Sequence, residues 1–168
     1  MGTDYIKEIE NSNVYDVAKV TPISFLNKIS SKYKNKIYLK REDLQPIFSF
    51  KCRGAYNKIS NLSDDQKSRG IIAASAGNHA QGVAMSASKL KISAVIVMPT
   101  TTPSIKIESV KKFGVEVLLF GDSFDEAYEH ALKISEEEKR IFIHPFNDPL
   151  VIAGQGTVAK EIDEQVEL

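Results

Sequence analysis

The chain has 168 residues, 42% of them hydrophobic and 26% charged, a composition that excludes disorder and suits one soluble domain with a sizeable core. Lys plus Arg and Asp plus Glu both number 22, so no net field favours nucleic acid or an anionic membrane, and the longest apolar run, Ala94 to Met98, falls far short of the ~18 residues of a membrane span. One cysteine, Cys52, rules out an internal disulfide and a multi-cysteine metal site and fits a reducing compartment.

Met1 to Asp16 carries four acidic residues and no apolar core segment, so it reads as neither a signal nor a transit peptide. Gly2 suggests N-terminal acylation, but Ile6 stands where Ser or Thr would be needed. Asp4 to Ala18 has a weak amphipathic pattern, with Tyr5, Ile9, Val14, Val17 and Ala18 apolar, and Thr21-Pro22 breaks it. A turn of helix is expected over Phe25 to Ile29, and Ile37 to Lys40 reads as a short strand before the charged Arg41-Glu42-Asp43. Pro46 keeps the next segment irregular. From Lys51 the pattern is helical, with Ala55, Ile59 and Leu62 on one face. Ser63 and Gln66 then match a capping box for a short helix that Gly70 ends.

Strand and helix alternate after Gly70. Strands are expected at Ile71–Ser75, Ala94–Met98, Val115–Phe120 and Ile141–Ile143. Between them run helices from Asn78 to Leu90, from Thr102-Pro103 to Gly114, and from a second capping box at Ser123 and Glu126, with Phe124, Ala127, Tyr128 and Ala131 as its stripe. This alternation predicts a doubly wound α/β layer, a mostly parallel sheet with helices on both faces. Ligands bind beyond the carboxyl ends of such strands, where Ser75, Pro99, Gly121 and His144 must lie. A last helix starts at Pro149, with Ile152, Val158, Ala159 and Ile162 as an apolar face that calls for more protein to pack against. The chain thus reads as the N-terminal part of a longer one.

Two stretches carry candidate chemistry. In Ile71 to Gly82 a buried strand breaks at Ser75-Ala76-Gly77-Asn78-His79 and a helix begins at once, so free backbone N–H groups and the positive end of a helix converge; the stretch reads as an anion site or as an ordinary tight turn. In Ser49 to Tyr56, Lys51 enters a helix N-terminus between Phe50 and Cys52. Helix dipole and burial both favour its neutral amine, the form that condenses with an aldehyde and serves as a base; the plain alternative is a snorkelling surface lysine. No Walker, zinc-protease, nucleophile-elbow or dinucleotide motif is present. His79, His130 and His144 are scattered, no metal site is expected from them, and His130 falls off its helix stripe as a solvated side chain.

The pair of motifs decides between these readings. Ser49-Phe50-Lys51-Cys52-Arg53-Gly54-Ala55 and Ser75-Ala76-Gly77-Asn78-His79-Ala80-Gln81-Gly82, preceded by Leu39 to Pro46 and followed by Val97-Met98-Pro99, Gly121 to Ala127 and His144-Pro145-Phe146 through Thr157, closely resemble the pyridoxal-phosphate-dependent threonine dehydratases (threonine ammonia-lyases) of the tryptophan-synthase-beta-like fold type II. The resemblance runs from about Thr21 to Ile162 and is nearer the biosynthetic than the catabolic branch. It implies that Lys51 carries pyridoxal 5'-phosphate and removes the Cα proton, that Asn78 bonds the pyridine 3′-oxygen, and that Phe50 packs by the ring. It implies further that Ser75 and the N–H groups around Ala76, Gly77, Asn78 and His79 bind the substrate carboxylate. The activity implied is deamination of L-threonine, with L-serine as a related substrate, to 2-oxobutanoate and ammonia in isoleucine biosynthesis, by a cytoplasmic homo-oligomer, dimer or tetramer.

Within the fold type, serine racemases place a second Ser where this chain has Ala76, and alanine supplies no proton to the opposite face. A catabolic serine/threonine dehydratase and a racemase-like enzyme remain alternatives, as does a non-enzymatic α/β ligand-binding or interaction domain. Cys52 stands where the family is usually aliphatic, and oxidation sensitivity is expected there. In family members the glycine-rich phosphate loop and the residue facing the pyridine nitrogen lie beyond the position of Leu168, so the 168-residue chain alone is expected to be an inactive part of the enzyme. The implied division gives residues 1–54 to a large cofactor domain, 55–147 to a complete small α/β domain, and 148–168 to the return into the large domain.

Overall fold

A computed structural model describes residues 3–166; Met1, Gly2, Glu167 and Leu168, and with them the acylation reading of Gly2, lie outside the described residues. Helix α1 (Tyr5–Glu10) starts at Asp4, whose carboxylate accepts the Lys7 N–H at 3.3 Å, and ends at Asn11. It does not run on to Ala18, as the pattern suggested. Polar Asn11-Ser12-Asn13 breaks it, the Ser12 hydroxyl donating back to the Glu8 carbonyl at 2.8 Å, and Val14 and Ala18 reach the core from a turn instead.

Strand β1 (Ile23–Phe25) pairs antiparallel with β2 (Tyr38–Lys40), and α2 (Asn27–Tyr33) lies between them in sequence. The helical turn expected at Phe25 thus begins two residues later, and Phe25 belongs to a strand with its ring centroid 5.1 Å from that of Tyr38. A single 3₁₀ turn, Glu42–Leu44, and an irregular run through Pro46 lead into α3 (Lys51–Ser60). Its Ala55 and Ile59, and Leu62 just beyond its end, are all buried, as their spacing indicates.

The capping box at Ser63 and Gln66 forms and opens α4 (Asp64–Arg69), and Gly70 ends it with φ of 78°, a backbone conformation that favours glycine. The sheet follows, with β3 (Ile71–Ala74), β4 (Ala94–Met98), β5 (Glu116–Leu119) and β6 (Ile141–Phe142) ordered β5-β4-β3-β6, all parallel. Helix α5 (Asn78–Leu90) connects β3 to β4, α6 (Ser104–Lys111) connects β4 to β5, and α7 (Phe124–Glu137) connects β5 to β6. Strand alternation sorts the core: Ile71, Ala73, Ala94, Ile96 and Met98 face Ala80, Val83, Ala84 and Ala87 of α5 and Val110 of α6, whereas Ile72, Ala74, Val95 and Val97 face Ala127 and Ala131 of α7. The sheet is therefore covered on both faces. In α7 the predicted stripe holds except at Phe124, which is exposed beside Tyr128. His130 is not freely solvated: it is half-buried and its ring stacks on Phe120 at 3.7 Å.

Helix α8 (Pro149–Gln165) starts at Asp148, which accepts the N–H groups of Leu150 and Val151 and pairs with Lys58 at 2.7 Å. Its inner face differs from the apolar one read in the sequence. Val151, Gly154, Thr157 and Glu161 are buried against α3, while Ile152 and Ala159 are exposed. Two glycines explain the reversal, because a Cβ at Gly154 would lie 2.7 Å from the Gly54 Cα, so the helices cross at backbone distance. The other reason is charge, since Glu161 is drawn inward by Arg53 at 2.6 Å.

Candidate functional site

The four strand ends do converge on one edge, and β3, α3, α5 and the segment after β6 build the site there. Phe48 enters it with a left-handed backbone, φ 56°, a conformation that costs a non-glycine residue about 1–2 kcal/mol. That turn delivers Ser49 and Phe50 to the start of α3, with Lys51 its first residue. Lys51 is half-buried; its Nζ lies 5.5 Å from the centre of the Phe50 ring and donates a hydrogen bond to the Pro145 carbonyl at 2.8 Å. Burial holds its pKa below the ordinary lysine value. The amine is thus turned onto a backbone carbonyl, whereas the plain reading had it held out in solvent.

Gly82 sets where that lysine sits. A Cβ there would lie 2.8 Å from the Lys51 carbonyl oxygen and 3.3 Å from the Ala55 Cβ, so the first turn of α3 rests on the bare backbone of α5. The N-terminus of α5 opens beside it. Gly77, its N-cap residue, offers no side-chain cap, and a Cβ at Gly77 would meet nothing within 4 Å. Among the described residues the N–H groups of Ala76, Asn78 and His79 make no hydrogen bond, Gly77 N–H donates to the Ser75 hydroxyl at 3.2 Å, and Ser75 N–H continues the sheet onto Val97. Asn78 is exposed. Uncapped donors at a thirteen-residue helix, with open ground before them, suit a carboxylate or phenolate oxygen.

His79 contributes to this loop through its backbone only. Its side chain is 4% exposed, with Nε2 donating to the Ile143 carbonyl at 2.9 Å and Nδ1 buried without a hydrogen-bond partner. Burial is the main reason its pKa falls to about 4, with the Lys51 charge adding to the fall. As pH drops, the unfolded imidazole, near 6.5, takes up its proton before the folded one. The neutral ring therefore contributes up to about 3 kcal/mol that is fully present above pH 6.5 and is lost down to about pH 4. Urea titrations across that window should show a shallower loss in His79→Gln than in the parent; equal slopes would refute this assignment.

Cys52 is fully buried and burial pushes its thiol up to about 11, so the oxidation site read from the sequence is shielded and unreactive. Two parts of the site were not read from the sequence. The Pro145 carbonyl is a backbone group and leaves no residue signature. Arg53, although within the quoted motif, turns out to be fully buried with Glu42 at 2.8 Å and Glu161 at 2.6 Å, and a glutamate among the small residues Gly154 and Thr157 was the available signal. An apolar groove between α1 and α8, lined by Ile6, Ile9, Gly156, Ala159 and Ile162, contains none of the site residues.

The residues present fit a cofactor that offers an aldehyde and a ring oxygen: an amine of lowered pKa, helix-end donors, and space where Gly77 lacks a side chain. Comparisons with known proteins agree. Residues 14–168 match the family described as "Pyridoxal-phosphate dependent enzyme". The chain is 56% identical over 166 residues to the L-threonine dehydratase biosynthetic IlvA of Haemophilus influenzae, a match that covers 98% of this chain and 32% of that protein. Among solved structures it superposes on the processed form of threonine deaminase isoform 2 from Solanum lycopersicum with a TM-score of 0.93 and 50% identity, covering 99% of this chain and 50% of that one. Maize serine racemase follows with a TM-score of 0.89 and 36% identity, over 97% of this chain and 49% of the racemase. The chain therefore spans about a third of the length of the curated relatives it matches.

Proposed function

The chain belongs to the pyridoxal-phosphate dependent enzyme family, and from that premise we propose that it carries the lysine and anion-loop portion of a biosynthetic threonine dehydratase. The whole protein would convert L-threonine to 2-oxobutanoate and ammonia, the β-hydroxyl leaving as water that the final hydrolysis restores. Lys51 would hold the cofactor aldehyde carbon, Asn78 the ring oxygen, and Phe50 the flank of the ring. When bound, pyridoxal phosphate supplies an electron sink for the pair left behind when Cα loses its proton.

This chain's own residues do the rest. The N–H groups of Ala76, Asn78 and His79 and the Ser75 hydroxyl hold the substrate carboxylate, which fixes where Cα stands relative to Nζ. Gly77 N–H, expected among them, is engaged with the Ser75 hydroxyl and serves by holding it in place. Lys51 Nζ, its pKa lowered by burial, accepts the Cα proton, and the Pro145 carbonyl receives the resulting ammonium. Ala76 offers no proton to the face opposite, which favours elimination over racemisation. The same reading carries the division into 1–54, 55–147 and 148–168, a homo-oligomer for the whole protein, and a cytoplasmic location. Among the described residues no helix is long and apolar enough to cross a membrane.

The observation that carries this reading is Lys51 itself, of lowered pKa and packed at the uncapped end of α5. Incubating the chain with pyridoxal phosphate and reducing with borohydride should label Lys51 weakly and without turnover, and Lys51→Ala should lose that label. Labelling spread evenly over the surface lysines, or unchanged in Lys51→Ala, would sink the assignment.

A further inference from the structure

We propose that His144 is a positioning residue for Lys51: it builds the turn whose Pro145 carbonyl receives the lysine amine. This rests on the reading of Lys51 as the reactive amine. The turn is four residues, 144–147, between two fixed points. Before it, Ile143 N–H donates to the Ile72 carbonyl at 2.8 Å and its own carbonyl takes His79 Nε2 at 2.9 Å. After it, Asp148 caps α8 and pairs with Lys58.

Within the turn, among the described residues, three hydrogen bonds occur. His144 Nδ1 accepts the N–H groups of Phe146 at 3.2 Å and Asn147 at 2.8 Å, and Pro145 O accepts from Lys51 Nζ at 2.8 Å. A side chain that takes the N–H two and three residues on is what asparagine does in an Asx turn, here performed by an imidazole. The ring plane is fixed from the sides by Phe146 at 4.6 Å and by Tyr128 and Phe142 at 6.3 Å, all edge-on. Accepting at Nδ1 requires the neutral tautomer with its proton on Nε2, and burial favours that form although the Asp148 carboxylate opposes it. Phe146 is 67% exposed, so packing does little to hold the turn if the imidazole hook is removed.

Competitive trace acetylation of the 168-residue chain across pH reads the titration midpoint of the Lys51 amine directly, with surface Lys133 as internal reference. His144→Leu removes the acceptor and keeps the bulk. The Lys51 midpoint should move by about half a pH unit or more relative to the parent when uptake is normalised to that reference. His144→Asn, whose Oδ1 can take the same two N–H groups, should restore the parent midpoint. A Lys51 midpoint unchanged in folded His144→Leu, or shifted equally in His144→Asn, would overturn the proposal; should the leucine variant not fold, His144→Ala replaces it under the same criteria. Failure of pyridoxal phosphate to label Lys51 in the parent would count against the functional reading alone. A midpoint indifferent to His144 would count against this proposal alone.

Discussion

Arg53→Met should lower the unfolding free energy by about 3–5 kcal/mol, a large fraction of the about 5–15 kcal/mol that holds a typical domain. Arg53 is fully buried, and its fork is used on every side: Nε and Nη2 clamp the two oxygens of Glu42 at 2.8 and 2.9 Å, Nη1 meets Glu161 at 2.6 Å and Thr157 at 3.1 Å, and Nη2 also reaches the Lys19 carbonyl at 3.2 Å. Methionine fills much of the space but leaves Glu161, whose side chain is 1% exposed, with only Lys40, Tyr15 and the Thr21 N–H as partners. The cost is that of stranding buried carboxylates, not of losing a favourable pair, and the pair itself is worth far less. Neutralising Glu42 as well, as in Arg53→Met with Glu42→Gln, should therefore recover part of the loss in urea titrations, with Glu161 left charged because it also pairs with the nearly buried Lys40 at 2.6 Å. A double variant no better than the single one would show that the cluster acts otherwise.

The same cluster sets an acid limit. Burial alone would raise both carboxyls, yet the hydrogen bonds from Arg53, joined by Thr21 at Glu42 and by Lys40 at Glu161, outweigh it and hold both below the usual carboxylate range. The unfolded chain then binds protons first as pH falls, so this contribution is fully present above the ordinary carboxylate pKa and is lost as pH drops through the lowered values. Arg53→Met should lack that component of the acid transition.

What the sequence revealed follows from which signals are local. Strand runs such as Ala94 to Met98 and the boxes at Ser63 and Ser123 are written in neighbouring residues, and each lies where it was expected, while the lysine and glycine-asparagine motifs stand at helix starts as their local pattern indicated. Strand β1 was missed because three half-exposed residues, held by pairing to β2 thirteen or more positions away, have no period to detect. The inner face of α8 was missed because hydrophobicity ranks Ile152 and Ile162 above Gly154 and Glu161, whereas close helix approach and a buried arginine reverse that ranking. Lys51 was legible as a type of residue at a helix start. Its acceptor, a carbonyl in a turn 94 positions on, was not.

Gly82→Val should both destabilise the chain and displace its lysine, and the two effects can be read apart. The first added carbon would stand 2.8 Å from the Lys51 oxygen, closer than real Cβ contacts come, and 3.1 Å from its carbonyl carbon, tighter than most, and both are backbone atoms that no rotamer change can move aside. Either α3 lifts from α5 or the core strains, at about 1–3 kcal/mol for an overpacked site and more for valine than for alanine. Helix propensity works the other way, since replacing a glycine inside α5 gains up to about 1 kcal/mol, so Gly82→Ala should come out less destabilised than its contact distance alone implies. Propensity, however, cannot restore the position of Lys51, whose Nζ must still reach the Pro145 carbonyl 2.8 Å away. Pyridoxal phosphate labelling of Lys51 should accordingly fall in both variants, even in an alanine variant of near-parental stability. Gly77→Ala is the matched control, because a Cβ there meets nothing within 4 Å and φ is negative, so its stability should stay within about 0.5 kcal/mol of the parent. Parental labelling in a folded Gly82→Val would mean that the backbone contact between α3 and α5 is not what places the amine.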